Sequence, residues 1–289
     1  MHLILLSALC SVLVSVLLKL APRMRLDVGQ LVAWNYLAAS LLTAWLLHPS
    51  LDALALPQAP WAALLGLAVV LPSLFLVLGA SVRASGIVRT DVAQRLSLLL
   101  SLLAAFTLFG ERADGQRVLG LALGLVAVAG IVSRPGDDSP ATDTRRGWLL
   151  LLTVWVGFAL VDVMLKRIAQ TGTSSIAALQ VAFALAFVLM LGRQLLLHWR
   201  GTSRLHWRNL GAGLLLGLLN FGNIVFYVRA HQALPDSPSV VFAAMNIGVV
   251  VLGTLVGVFA FGEKTSRWNR LAIVLAIVAI AVIASAPRA

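Results

Sequence analysis

The chain has 289 residues, of which 60% are apolar and only 11% charged, and its mean hydropathy is +0.97. A soluble domain of that length cannot hide so much apolar surface, which excludes a water-soluble enzyme or binding module. The formal charge of +11 then reads as Lys and Arg beside anionic headgroups at membrane edges, and not as a nucleic-acid surface.

The apolar residues fall into runs of about 18–24, long enough to cross a bilayer's hydrocarbon core as helices. Ten spans are expected, over 3–20, 29–48, 61–82, 90–109, 115–133, 147–168, 174–197, 208–230, 238–261 and 267–285. Span 1 lacks a basic leader and a small-residue cleavage site, so it reads as a retained helix. It carries the single cysteine, Cys10, inside an apolar run, which implies neither a disulfide nor a metal site. Trp61, Trp148, Trp207 and Trp268 stand at or beside span starts, as interfacial anchors do. Pro72 lies in the middle of span 3 and is expected to bend it. The longest polar linker joins spans 5 and 6, and its Pro, Gly and mixed charges cannot continue a buried helix.

The chain reads as one unit written twice. Residues 109–133 laid over 261–285 share 10 of 25 identities, among them Phe109-Gly110-Glu111 with Phe261-Gly262-Glu263 and Ser133 with Ser285. Residues 13–19 of span 1 match 160–166 of span 6 and end on Lys19 and Lys166. Asn35 falls opposite Gln180, and Gln94 opposite Asn246, the latter two each 17 residues before the glutamate of the shared tripeptide. Five spans per unit is an odd number, so joined copies sit upside down relative to each other. The expected fold is therefore an all-α polytopic membrane protein, with ten transmembrane helices as two inverted five-helix repeats around a central cavity. The units are 1–134 and 147–289, with a linker over 135–146. Gly120-x-x-x-Gly124 in span 5 corresponds to Ala272-x-x-x-Ala276 in span 10. Small residues four apart let helices approach closely, and packing within one chain is favoured over a dimer face.

Polar residues within spans mark the candidate site, because an ionisable group there costs about 2.5–3.5 kcal/mol on insertion scales. Asp162 lies well inside span 6, four residues before Lys166, so the two share a helix face. It is either a proton or substrate site tuned by Lys166, or half of a structural pair. Asp91 and Arg95 show the same spacing nearer an interface, where a structural pair is expected. The matched amides Asn35, Gln94, Gln180 and Asn246 can bind neutral or zwitterionic solutes without burying a charge. Tyr36, Asn220, Asn223 and Tyr227 are further candidates. Glu111 and Glu263, beside Arg112 and Lys264, read as turn caps with local ion pairs. No metal set, cofactor motif or catalytic triad appears, and the five His residues show no ligand spacing.

With Phe109-Gly110-Glu111-Arg112, Phe261-Gly262-Glu263-Lys264, the small-residue helices after them, and Lys19 and Lys166, the chain resembles the ten-helix EamA-type permeases of the drug/metabolite transporter superfamily. The resemblance runs over the whole chain. It implies two five-helix bundles around a central cavity and movement of small molecules, often outward. Two features depart from the family pattern: the first span lacks its Trp-Gly dipeptide, and no glutamate stands there as in the small multidrug relatives. Proton-coupled extrusion of lipophilic cations is thus not expected.

The expected function is secondary transport of a small polar or zwitterionic metabolite in the cell inner or plasma membrane. The partners are that solute and membrane lipids, with no nucleic acid and no cofactor, and the chain acts as a monomer. The alternative is a polytopic membrane enzyme or lipid flippase acting on a lipid-linked substrate. Such enzymes cluster acids, His or Arg at one interface, and this chain disperses its few acids. Lys and Arg number 16 on one side of the spans and 6 on the other. The positive-inside rule then puts both termini outside the cytoplasm, whereas the family habit puts them inside.

Overall fold

The computed structural model describes residues 2–55, 59–108, 115–132, 141–234 and 238–285. Among these the regular elements are helices: α1 (His2–Leu20), α2 (Val28–Leu47), a 3-10 turn (Asp52–Ala55), α3 (Trp61–Arg95), α4 (Ser97–Leu108), α5 (Gly115–Val132), α6 (Ala141–Gln170), α7 (Ser175–Trp199), α8 (Trp207–Ala233), α9 (Pro238–Leu255), a π-helical turn (Val256–Ala260) and α10 (Arg267–Ala284). Short polar side chains start several of them by accepting free backbone N–H groups. Asp27 caps α2 through Gly29 and Gln30, Ser174 caps α7 through Ala177, and Ser266 caps α10 through Asn269.

The outer surface is apolar. Leu5, Leu41, Val69, Val188, Leu218 and Val274 are each more than half exposed, as are Trp45, Trp199 and Trp207. Water would not tolerate that surface, and lipid does. Among the described residues, eight helical stretches are long and apolar enough to cross a bilayer. The chain is an integral, multi-pass membrane protein.

One of those stretches, 61–108, is 48 residues long. At 1.5 Å per residue it would reach about 72 Å, more than twice the roughly 30 Å hydrocarbon core. It is divided at Gly86, whose φ of 87° and ψ of 166° lie where only glycine sits without strain. The helix continues through Pro72, and its non-helical dihedrals fall at Gly86. Gly86→Ala is expected to cost about 1–3 kcal/mol, because its methyl would also lie 2.6 Å from a carboxylate oxygen of Glu263. A thermal unfolding midpoint equal to the wild type's would contradict this.

Packing joins distant parts of the chain. Helix α2 packs on α7 and α8, α3 on α6 and α7, α1 on α8 and α9, α4 on α6, and α5 on α10. Val14, Leu18, Leu78, Leu151, Val154 and Leu216 bring α1, α3, α6 and α8 into one buried cluster. The small-residue stripe works inside the chain. A methyl at Gly120 would run into Ile283 of α10, and one at Gly124 into Leu99 of α4. Ala272 and Ala276 are buried on the facing side of α10.

Candidate functional site

A cavity of about 380 Å³ lies among the α3–α4 junction, α6, α7, α8 and α9. Its polar wall is Gln94, Arg95, Ser97, Asp162, Ser175, Asn223, Tyr227 and Asn246. Its apolar wall includes Phe158, Leu179, Ile224, Phe242 and Met245. The α3–α4 junction is irregular: Ser97 Oγ donates to the Gln94 carbonyl at 2.7 Å and Trp155 Nε1 to the Leu96 carbonyl at 2.8 Å. Those bonds satisfy backbone groups that the helix change frees, which is what lets such a junction sit at membrane depth.

Two opposite charges share this space. Arg95 Nη2 donates to Ser11 Oγ at 2.6 Å and Nη1 to Asn246 Oδ1 at 3.5 Å, while Nε is buried with no acceptor among the described residues. Asp162 is exposed and accepts from Ser101 Oγ at 2.8 Å. Ser7 Oγ donates to both the backbone carbonyl and Oδ1 of Asn223, tying α1 to α8 behind the polar wall. The expected Asp91–Arg95 ion pair does not form. Asp91 Oδ1 instead accepts from Ser15 Oγ at 2.8 Å, and the guanidinium turns toward Ser11 and the cavity.

Of the residues singled out in the sequence, the structure brings Gln94, Asp162, Asn223, Tyr227 and Asn246 together at the cavity. The others lie elsewhere. Asn35 is fully buried between α2 and α8, where its Oδ1 accepts from Asn220 Nδ2 at 3.2 Å. Gln180 Nε2 donates to Ser40 Oγ, bracing α7 against α2. Tyr36 is buried between the rings of Phe75 and Phe183. Lys166 follows Asp162 by one turn of α6 and is not part of the cavity wall. Arg95, Ser175, Phe158 and Phe242 line the cavity without having been picked from the sequence as binding residues. Arg95 carried the same burial-cost signal as Asp162, but its spacing to Asp91 suggested a self-contained pair.

Lys19 belongs to a second constellation, built by Phe261-Gly262-Glu263. Gly262, at φ 63°, takes the left-handed position that ends the helical run after α9, and its N–H donates to Val258 O. The Lys19 ammonium sits 4.6 Å from the centre of the Phe261 ring. Glu263 forms an ion pair with Lys19, and its carboxylate accepts from the backbone N–H of Ile87 at 2.7 Å and of Val88 at 3.1 Å. The glutamate therefore caps the helix that restarts after Gly86. This corrects the expected cap of its own following helix, a role that Ser266 fills. The matching Phe109-Gly110-Glu111, with Arg112, lies outside the described residues.

A membrane-embedded helical assembly with a solute-sized polar cavity defines the class of protein. The chain belongs to the EamA-like transporter family, a family of the drug/metabolite transporter superfamily, whose model matches residues 1–133 and again 145–285. It is 37% identical over 287 residues to an uncharacterized protein of Haemophilus influenzae, covering 97% of this chain and 96% of that one. It is 31% identical over 166 residues to an uncharacterized protein of Pseudomonas aeruginosa, covering 57% of this chain and 53% of the other. A solved crystal structure superposes with a TM-score of 0.58 over 96% of this chain and 95% of its own, at 20% identity, and so shares its fold.

Proposed function

We propose that the chain is a secondary transporter that carries a small polar or zwitterionic metabolite by alternating access. Its halves, 1–134 and 147–289, act as inverted five-helix repeats joined across 135–146. The main contacts between halves support that reading because they come in exchanged pairs. Replacing each helix by its repeat counterpart turns α1 on α8 into α6 on α3, α2 on α8 into α7 on α3, and α1 on α9 into α6 on α4. The pairs α2 with α7 and α5 with α10 map onto themselves, and all of these contacts occur. A site near the middle of the membrane between two such repeats is the arrangement through which they alternate.

The observation that carries the substrate class is the pairing of Arg95 and Asp162 in one cavity with aromatic and aliphatic walls. Arg95 offers a guanidinium, held at Ser11 and Asn246, to an anionic group, and the Asp162 carboxylate on the cavity wall offers itself to a cationic one. A molecule with both charges satisfies both residues, and its uncharged part rests on Phe158, Leu179, Ile224 and Phe242. Gln94, Asn223 and Asn246 add donors and acceptors that need no counter-charge.

A thermal-shift panel tests this directly, since a ligand that binds the folded state raises its apparent stability. Each zwitterion is run beside its decarboxylated amine and its N-acylated acid. The zwitterion is expected to raise the midpoint more than either single-charge analogue. Stabilisation by hydrophobic dications, with none by zwitterions, would defeat the reading. Asp162→Asn is expected to narrow the gap between a zwitterion and its N-acylated acid, because the partner of the cationic group is gone. An undiminished gap in that variant would remove Asp162 from the site.

A further inference from the structure

We propose that Asp91 is a proton-binding site, separate from the solute cavity, that stands as the neutral acid where α1, α3 and α9 meet. Asp91 is 2% exposed, the most buried acid among the described residues. Its Oδ1 accepts from Ser15 Oγ of α1 at 2.8 Å. Its Oδ2 is buried with no partner among the described residues. That oxygen faces Gly253 of α9, where an added methyl would lie 2.5 Å from it. A bare carboxylate oxygen against a helix backbone in a membrane interior is a costly place for negative charge. A proton on Asp91 removes that charge without moving any helix.

Among the described residues, no cation is hydrogen-bonded or ion-paired to Asp91. On α1, Lys19 is committed to Glu263. Glu263, from the segment after α9, is itself an anion and brings no compensation. Helix α9 carries no titratable side chain. On α3, Arg89 lies two residues away on the opposite side of the helix. Arg95 lies one turn on, and its guanidinium reaches Ser11 and Asn246. The spacing of four residues keeps Arg95 within reach of Asp91 by side-chain rotation alone. The same guanidinium that lines the cavity can therefore take the carboxylate when the proton leaves. Resting on the solute site proposed above, this links the two events: a solute anion on Arg95 favours the proton on Asp91, and an empty cavity frees Arg95 to replace it.

Infrared difference spectroscopy of the solute-free protein in lipid nanodiscs, as the pH is raised, tests the site without any substrate. It therefore stands or falls apart from the transport reading. The wild type is expected to show the C=O band of a buried carboxylic acid that disappears on alkalinisation. Asp91→Asn is expected to lack the band and Asp162→Asn to keep it. Ser15→Ala, a change of one hydroxyl, is expected to shift the band because Oδ1 loses its donor, and it decides the matter if Asp91→Asn does not fold. Arg95→Gln is expected to keep the band at a pH where the wild type has lost it. A wild type with no such band, a band that survives Asp91→Asn, a band lost in Asp162→Asn or a band unmoved by Ser15→Ala overturns the proton site. A band that titrates identically with and without Arg95 overturns the link to the cavity.

Discussion

Glu263→Gln is expected to lower the thermal unfolding midpoint by roughly 6–10 °C, the equivalent of about 3 kcal/mol in a chain of this size. The side chains of Lys19 and Glu263 are only 15% and 12% exposed, so water does little to replace the pair when it is broken. Glutamine keeps one acceptor oxygen where the carboxylate served three donors: the ammonium and the N–H groups of Ile87 and Val88. One of those donors would then face an amide NH2 group. The effect reaches beyond local stability, because the pair ties the end of α1, the restart of the helix after Gly86 and the turn after α9 into one cluster. A double-mutant cycle with Lys19→Ala separates the ion pair from the helix cap. Coupling of 1 kcal/mol or more is expected for groups in direct contact. A midpoint within 1 °C of the wild type for Glu263→Gln would show that the cluster carries no weight.

Arg95→Gln is expected to weaken binding of the transported solute by roughly 100-fold, about 3 kcal/mol, because it removes the only cation among the described residues of the cavity wall and leaves the solute's anionic group unpaired. The fold is expected to survive. The hydrogen bonds of Arg95 go to Ser11 and Asn246 beside the cavity, where water can replace the guanidinium. The readout is the ligand-induced rise in unfolding midpoint at fixed solute concentration, compared with the ligand-free midpoint of the same variant. Loss of the ligand-induced rise with little change in the ligand-free midpoint is the expected result. Wild-type affinity in Arg95→Gln would place the solute elsewhere.

The membrane class and most helix positions were legible in the sequence, because long apolar runs have few alternatives in lipid. The weight of Phe-Gly-Glu was legible too, as a repeat. Its mechanism was not, since the partners of Glu263 are Lys19 and the N–H groups of Ile87 and Val88, more than 170 positions away in the chain. A glutamate followed by a lysine and a helix suggests local pairing, and only the fold shows that it caps another helix. Gly86 was invisible for a similar reason: its dihedrals are set by where the chain must turn. The amides illustrate the limit of pattern. Gln94 and Asn246 face the cavity, while Asn35 and Gln180 brace helix pairs. Spans that are apolar nearly all round carry no stripe to say which face turns inward. Arg95 was in view as a basic group at a helix end beside the cavity, but its spacing to Asp91 kept it off the list of binding residues.

Counterflow in sealed vesicles tests the central claim most directly. Purified protein is reconstituted, the vesicles are loaded with the unlabelled zwitterion that gives the largest thermal shift, and a trace of the labelled compound is added outside. An alternating-access carrier is expected to draw the label in, transiently above its equilibrium level, only when the vesicles are loaded, and Arg95→Gln is expected to abolish the rise. Saturable binding of the solute without counterflow, or recovery of the label attached to lipid, would contradict the account.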